Sequence, residues 1–253
     1  MNMFLFRTFL FSLMLFGDFI VAHPLETPLE IRVIQNPKLF GGDIVGYSGK
    51  LKNVRLRSAL PDDIRLWPNG VIPFVIDQSL HSNRALILKA FANYYQHTCI
   101  KFIPHSNEYD YINITKDHGC YSNVGRIGGM QVVSLGNGCH YVGTAVHELG
   151  HAIGFFHEHQ RSDRDTYLKL HEENIALNAM GQFEKLTPNE NRLLVSYDYD
   201  SIMHYGPTAF ARQSGLITMS PRKENAQLTE VFQKYGLSQL DIVAIRKLYK
   251  CNG

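Results

Sequence analysis

His147, Glu148, His151, Gly154 and His157 stand in the order H-E-x-x-H-x-x-G-x-x-H. Residues four apart lie one above the other on an α-helix, so His147 and His151 present two imidazoles to one cation. Glu148 sits beside the first of them, where a carboxylate can reach a water held at that cation. Gly154 can enter the left-handed conformation that ends a helix and turns the chain back. The turn would bring His157 round as a third ligand, although His159 is close enough in sequence to compete for the place. Three neutral imidazoles and a water make an open zinc site of the catalytic kind, with Glu148 as general base in attack on a carbonyl. A lone histidine is usually a surface or core residue. The whole pattern, in a chain this long, arises by chance on the order of once in 100,000, so metal binding is the reading to carry forward.

The elements around this motif must position it. A helix is expected from near Gly143 to Gly154. Val71–Asp77 reads as a strand, and Pro73 suggests an edge position. Ser82 or Asn83 caps a predicted helix running to about His97, with Leu88, Phe91 and Tyr95 at helical spacing. "CIKFIP", "YINIT" and Met130–Leu135 read as further strands. Ser238 and Asp241 form a capping-box-like start to a last helix carrying Ile242, Ile245 and Leu248.

With 45% hydrophobic and 19% charged residues in 253, the chain can bury a core. A net charge of +2 gives no reason to expect nucleic acid or an anionic membrane as partner. Residues 1–22 read as a secretory signal, with Arg7 before the apolar run Phe9–Phe16 and Ala22 before the cut. That run is too short to span a membrane. In a secreted chain the even set Cys99, Cys120, Cys139 and Cys251 implies two disulfides, with three pairings open. Residues 23–57 are Gly-containing and end in a basic stretch, where Arg55 and Arg57 look like a processing site for a trypsin-like protease. Asn113-Ile114-Thr115 is an N-glycosylation sequon, usable if Asn113 faces solvent.

The stretch His147–Asp165 resembles the long signature of the astacin family of metzincin metalloproteases, H-E-x-x-H-x-x-G-F-x-H-E-x-x-R-x-D-R-D, at every fixed position. The resemblance covers essentially all of 40–251. It implies a secreted zinc endopeptidase made as a zymogen, with a signal over 1–22, a pro-segment over 23–57 and a protease domain over 58–253. The implied fold is α+β in two subdomains: a twisted mixed sheet with the active-site helix above the cleft, and an irregular C-terminal half ending in a helix. By the same resemblance one zinc ion is held by His147, His151 and His157, Glu148 is the general base, His159 is not a ligand, and Arg161 with Asp163, Arg164 and Asp165 is scaffold.

"SIMHY", Ser201–Tyr205, looks like the family's Met-turn, placing Met203 beneath the ligands as a soft apolar floor. Tyr205 then matches the tyrosine that binds zinc in the resting enzyme and swings away to steady the oxyanion. "FGGD", Phe40–Asp43, is similar to the pro-segment motif F-x-G-D, which makes Asp43 a zinc ligand in the zymogen. The implied disulfides are Cys99–Cys251 and Cys120–Cys139. The mature chain would start at Ser58, its ammonium meeting Glu158. Lys234 falls where relatives place a basic residue facing the residue after the scissile bond, which implies a preference for acidic residues there. Substrate would lie extended along an edge strand. The expected partners are protein or peptide substrates and an activating protease; the chain is expected to be an extracellular monomer without membrane anchor, and without the accessory modules of many relatives. A non-catalytic binding module with a structural metal is the alternative. Glu148 and the open three-histidine site argue against it, and Glu158, Tyr205 and the cysteine pattern argue against another metallopeptidase family.

Overall fold

The computed structural model describes residues 27–47, 63–188 and 190–251. The expected signal over 1–22, the processing residues Arg55 and Arg57, and the expected new terminus Ser58 lie outside these ranges. A single helical turn, α1 (Leu29–Arg32), opens the described chain.

A five-stranded sheet forms the first half. Its strands are β1 (Val71–Ile76), β2 (Lys101–Pro104), β3 (Tyr111–Thr115), β4 (Cys120–Ser122) and β5 (Met130–Leu135), in the order β2-β1-β3-β5-β4. The pairings are parallel except for β4 with β5. Ile72, Phe74, Ile112, Ile114, Val133 and Leu135 fill the core. Pro73 does not mark an edge, because β1 pairs on both sides. The ladder with β3 begins one residue later, at Phe74, so the missing Pro73 N–H is not called upon there. The sequon residue Asn113 lies on β3, between two partners, and its side-chain oxygen is enclosed without a hydrogen bond. That is far from the open surface loop a glycan favours.

Helix α2 (Arg84–His97) packs on the sheet through Ile87, Ala90, Phe91 and Tyr94. The buried face is rotated by one residue from the expected one: Leu88 is 43% and Tyr95 67% exposed. Both sets fit a helical period and share Phe91. Tyr94 wins the buried side because its hydroxyl donates to the Val146 carbonyl at 2.6 Å, which satisfies its polar tip.

Helix α3 (Val142–Ala152) carries the motif and is buried from Gly143 to Ala152 without a break. A helix covered on all sides is held by its neighbours rather than by a solvent-facing stripe. Its end is a Schellman turn. Gly154 adopts φ 112°, its N–H bonds to the His151 carbonyl at 2.8 Å, and the Phe155 N–H reaches the Gly150 carbonyl at 3.0 Å. The remaining terminal carbonyls are taken by Trp67 Nε1–H on Ala152 and the Tyr249 hydroxyl on Ile153, both at 2.8 Å.

The second half is irregular. It holds a short antiparallel pair, β6 (Leu168–Leu170) with β7 (Met219–Pro221), several 3-10 turns and the last helix, α4 (Gln239–Leu248). The capping box at Ser238 and Asp241 is present, and Ile245 and Leu248 are buried. Cys99–Cys251 ties the end of α4 to the chain after α2, and Cys120–Cys139 closes the segment joining β4 to α3.

Candidate metal centre

The turn at Gly154 does what the motif requires of it. It returns the chain so that the Nε2 atoms of His147, His151 and His157 converge, with 3.2 Å from His151 to each of the other two. All three rings are buried. Each Nδ1 meets an acceptor: the Ile202 carbonyl for His147 at 2.8 Å, the Phe155 carbonyl for His151 at 2.7 Å, and Gln160 Oε1 for His157 at 3.0 Å. Those acceptors hold the proton on Nδ1 and leave each Nε2 lone pair facing the common centre. Gln160 in turn donates to the Gln182 carbonyl, which fixes its amide. Gln160 has no place in the motif reading, since it occupies a variable position. The need of His157 Nδ1 for a partner was the signal that could have found it.

The fourth group is Asp43. Its carboxylate lies 3.0 Å from His147 Nε2, 3.0 Å from His157 Nε2 and 3.3 Å from His151 Nε2. One ligand atom from each of these four buried residues lies within 4.8 Å of the rest. Three imidazoles and one carboxylate, with ring tautomers already set, fit a tetrahedral zinc ion. Burial works to raise the Asp43 pKa, but the three surrounding imidazoles lower it more and hold the group well below the usual range.

His159 is excluded from this cluster. Its ring is buried and stacks on Tyr205 at 5.0 Å and on His157 at 5.1 Å, and neither nitrogen has a partner among the described residues. Burial pushes its imidazole pKa far down, so it serves as a neutral plate. Glu148 is also buried, and neither of its oxygens has a partner among the described residues. Burial, then the nearby Asp43, raises its carboxyl well above the ordinary value.

Beneath α3 runs Ser201–Tyr205. Met203 is buried, and a Cβ placed on Gly150 would overlap its sulfur. The Met203 carbonyl accepts from the Glu158 N–H at 3.0 Å. The Tyr205 hydroxyl lies 2.6 Å from Asp43 Oδ2 and 2.6 Å from the Ile34 carbonyl. Burial and then Asp43 raise its pKa well above 10, so it keeps its proton.

These features match known proteins along the chain. Residues 59–250 match the peptidase family described as Astacin. The chain belongs to the astacin family. Astacin-like metalloprotease toxin 1 of Loxosceles intermedia is 42% identical over 235 residues, 91% of this chain and 88% of the toxin. Zinc metalloproteinase nas-6 of Caenorhabditis elegans is 43% identical over 223 residues, 86% of this chain and 64% of that protein. Among solved structures, high choriolytic enzyme 1, a hatching enzyme zinc-protease from the medaka fish Oryzias latipes, superposes with a TM-score of 0.69 at 38% identity, over 76% of this chain and 97% of that one. This astacin-family chain is accordingly a zinc metallopeptidase acting on protein or peptide substrates, with the expected α+β fold. Among the described residues no helix is long and apolar enough to cross a membrane.

Two further expected residues have partners within the chain. Glu158 is paired with Arg161 Nη1 at 2.8 Å and accepts from the Asp198 N–H at 2.9 Å. Lys234 is turned into the protein, its Nζ donating to the carbonyls of Ser201 at 2.7 Å and His204 at 2.6 Å.

Proposed function

We propose that this chain is the latent form of a secreted zinc endopeptidase, released when the segment carrying Asp43 is removed near Arg57–Ser58. The observation that carries the reading is the delivery of Asp43, from more than a hundred residues upstream, onto the three converging imidazoles. The same segment lies along β4, the sheet edge where an extended substrate would add. The Ser122 N–H bonds to the Asp43 carbonyl at 2.9 Å, the Val45 N–H to the Ser122 carbonyl at 3.0 Å, and the Cys120 N–H to the Val33 carbonyl at 3.0 Å. Its bridge to β4, Ile44 with Ser122, runs parallel.

Zinc bound by His147, His151 and His157 supplies Lewis acidity at a peptide carbonyl and lowers the pKa of its water towards about 7. The residues of the chain do the rest. Glu148 takes a proton from the attacking water and hands it to the departing amine. Its two oxygens, without a partner among the described residues, are available for that proton. The Tyr205 hydroxyl, freed of Asp43, donates to the carbonyl oxygen as that oxygen gains charge. The three Nδ1–H bonds keep the rings aimed throughout.

Glu158 is our candidate partner for the new terminal ammonium. Burial pushes its carboxyl up to about 8 against the pull of Arg161, and a cavity lined by Phe156, Arg161, Asn191 and Leu194 opens beside it. An ammonium entering there would stabilise the charged carboxylate. Two disulfides and a relative named as a toxin support an extracellular setting. The test is casein or gelatin hydrolysis by the processed chain, with Glu148→Ala as control. Hydrolysis by wild type alone supports the proposal. Equal inertness with zinc bound refutes it. Mass analysis should place the processed terminus near Ser58.

A further inference from the structure

The turn Ser201–His204 offers four consecutive carbonyls, and each has a partner. Ile202 accepts from His147 Nδ1 and Met203 from the Glu158 N–H. The two outer carbonyls, of Ser201 and His204, share one donor group, the Lys234 ammonium. Asp241 holds the same turn, accepting from Ser201 Oγ at 2.6 Å and from the Ile202 N–H at 2.8 Å. Lys234 and Asp241 therefore fix both ends of the peptide whose middle carbonyl orients the first histidine of the motif.

We propose that Lys234 is a positioning residue for the metal centre, acting through the Ser201–His204 turn on His147 and Met203 rather than on substrate. An ammonium committed to two backbone carbonyls is poorly placed to meet an acidic substrate side chain. Burial lowers its proton affinity to about 8, while Asp241, Asp198, Glu230 and Asp200 oppose the loss. A charged donor is thereby kept under the turn at neutral pH. Removing it leaves the His204 carbonyl without a partner and the Ser201 carbonyl with the His204 N–H alone, at 3.0 Å, and the turn relaxes. Ile202 then no longer holds the His147 ring in one orientation, and an outer partner of this kind governs metal affinity.

The inference rests on the zinc-peptidase reading, and its test separates the two. Zinc affinity of the full chain is measured by chelator competition, and kcat and KM of the processed chain on a fixed peptide, for wild type, Lys234→Met and Lys234→Arg. In Lys234→Met, zinc affinity and kcat should each fall about 10- to 100-fold with KM changed less than about threefold. Lys234→Arg, which keeps donors for both carbonyls, should recover most of the loss. Should Lys234→Met not fold, Lys234→Gln, a shorter and uncharged donor, should show an intermediate loss. A folded Met or Gln variant with unchanged zinc affinity and kcat overturns the proposal. So does a shift confined to the residue preferred after the scissile bond. Failure of both the Met and Gln variants to fold would assign Lys234 to folding and overturn it too. An inactive wild type would instead count against the peptidase reading.

Discussion

The phenol oxygen of Tyr205 lies 2.6 Å from Oδ2 of Asp43, a carboxylate that also touches all three motif histidines. The upstream segment thus engages two parts of the proposed machinery with one side chain, and its Ile34 carbonyl holds the same hydroxyl from a second direction. A single phenol proton cannot serve these acceptors and a developing oxyanion together.

Tyr205→Phe isolates that hydroxyl. In the processed enzyme, kcat should fall roughly 100- to 1,000-fold, the usual loss for one oxyanion donor, with little change in KM. Steady-state kinetics on a quenched peptide decide it. An unchanged kcat would remove Tyr205 from the mechanism.

Latency should also depend on the backbone that presents Asp43. Gly42 has φ 103°, and a Cβ there would lie 2.5 Å from the Ile34 carbonyl and 2.7 Å from the Phe210 ring. Gly42→Ala should strain the loop by about 1–3 kcal/mol. Unprocessed Gly42→Ala should therefore leak peptidase activity about 5- to 150-fold above unprocessed wild type. Basal hydrolysis at wild-type level would show that the loop tolerates the methyl group.

Much of this architecture is legible in the residues. The H-E-x-x-H spacing, the Schellman glycine and the capping box at Ser238 each act within one turn of helix, so local rules suffice. Pro73 and the Leu88–Tyr95 face misled because tertiary partners decide them. A proline is tolerated inside a sheet where no neighbour needs its N–H, and Tyr94 is drawn inward by a carbonyl 52 residues away. Gln160 and the Lys234 clamp were hidden for the same reason. Each acts on backbone or ring atoms brought close only by folding.

His204 gives a pH dependence with a definite sign. Its ring is buried between the Tyr197 hydroxyl at 2.8 Å and the Tyr205 carbonyl. Burial, and then the Lys234 charge, holds its pKa at about 3 against an ordinary value of 6.5. The unfolded chain therefore binds this proton more readily between those values. The stability from a neutral His204 is fully present above about pH 6.5 and is lost as pH falls towards 3. His204→Asn lacks this loss, so its stability deficit relative to wild type should shrink on acidification, by up to about 1.4 kcal/mol per pH unit in that window. Urea unfolding of both chains at pH 7, 5 and 4 measures it. A deficit independent of pH would mean His204 does not titrate in this way.

In the proposed latent form, Asp43 on three zinc-binding imidazoles keeps a competent peptidase silent. The most direct test of this latency is peptide hydrolysis by the intact, zinc-loaded, unprocessed chain as wild type, Asp43→Ala and Asp43→Ala with Glu148→Ala. Wild type should be silent, Asp43→Ala should show clear turnover, and the double variant should be silent again. Turnover by intact wild type equal to that of Asp43→Ala would contradict that latency, as would an Asp43→Ala chain that stays silent although the processed wild type is active.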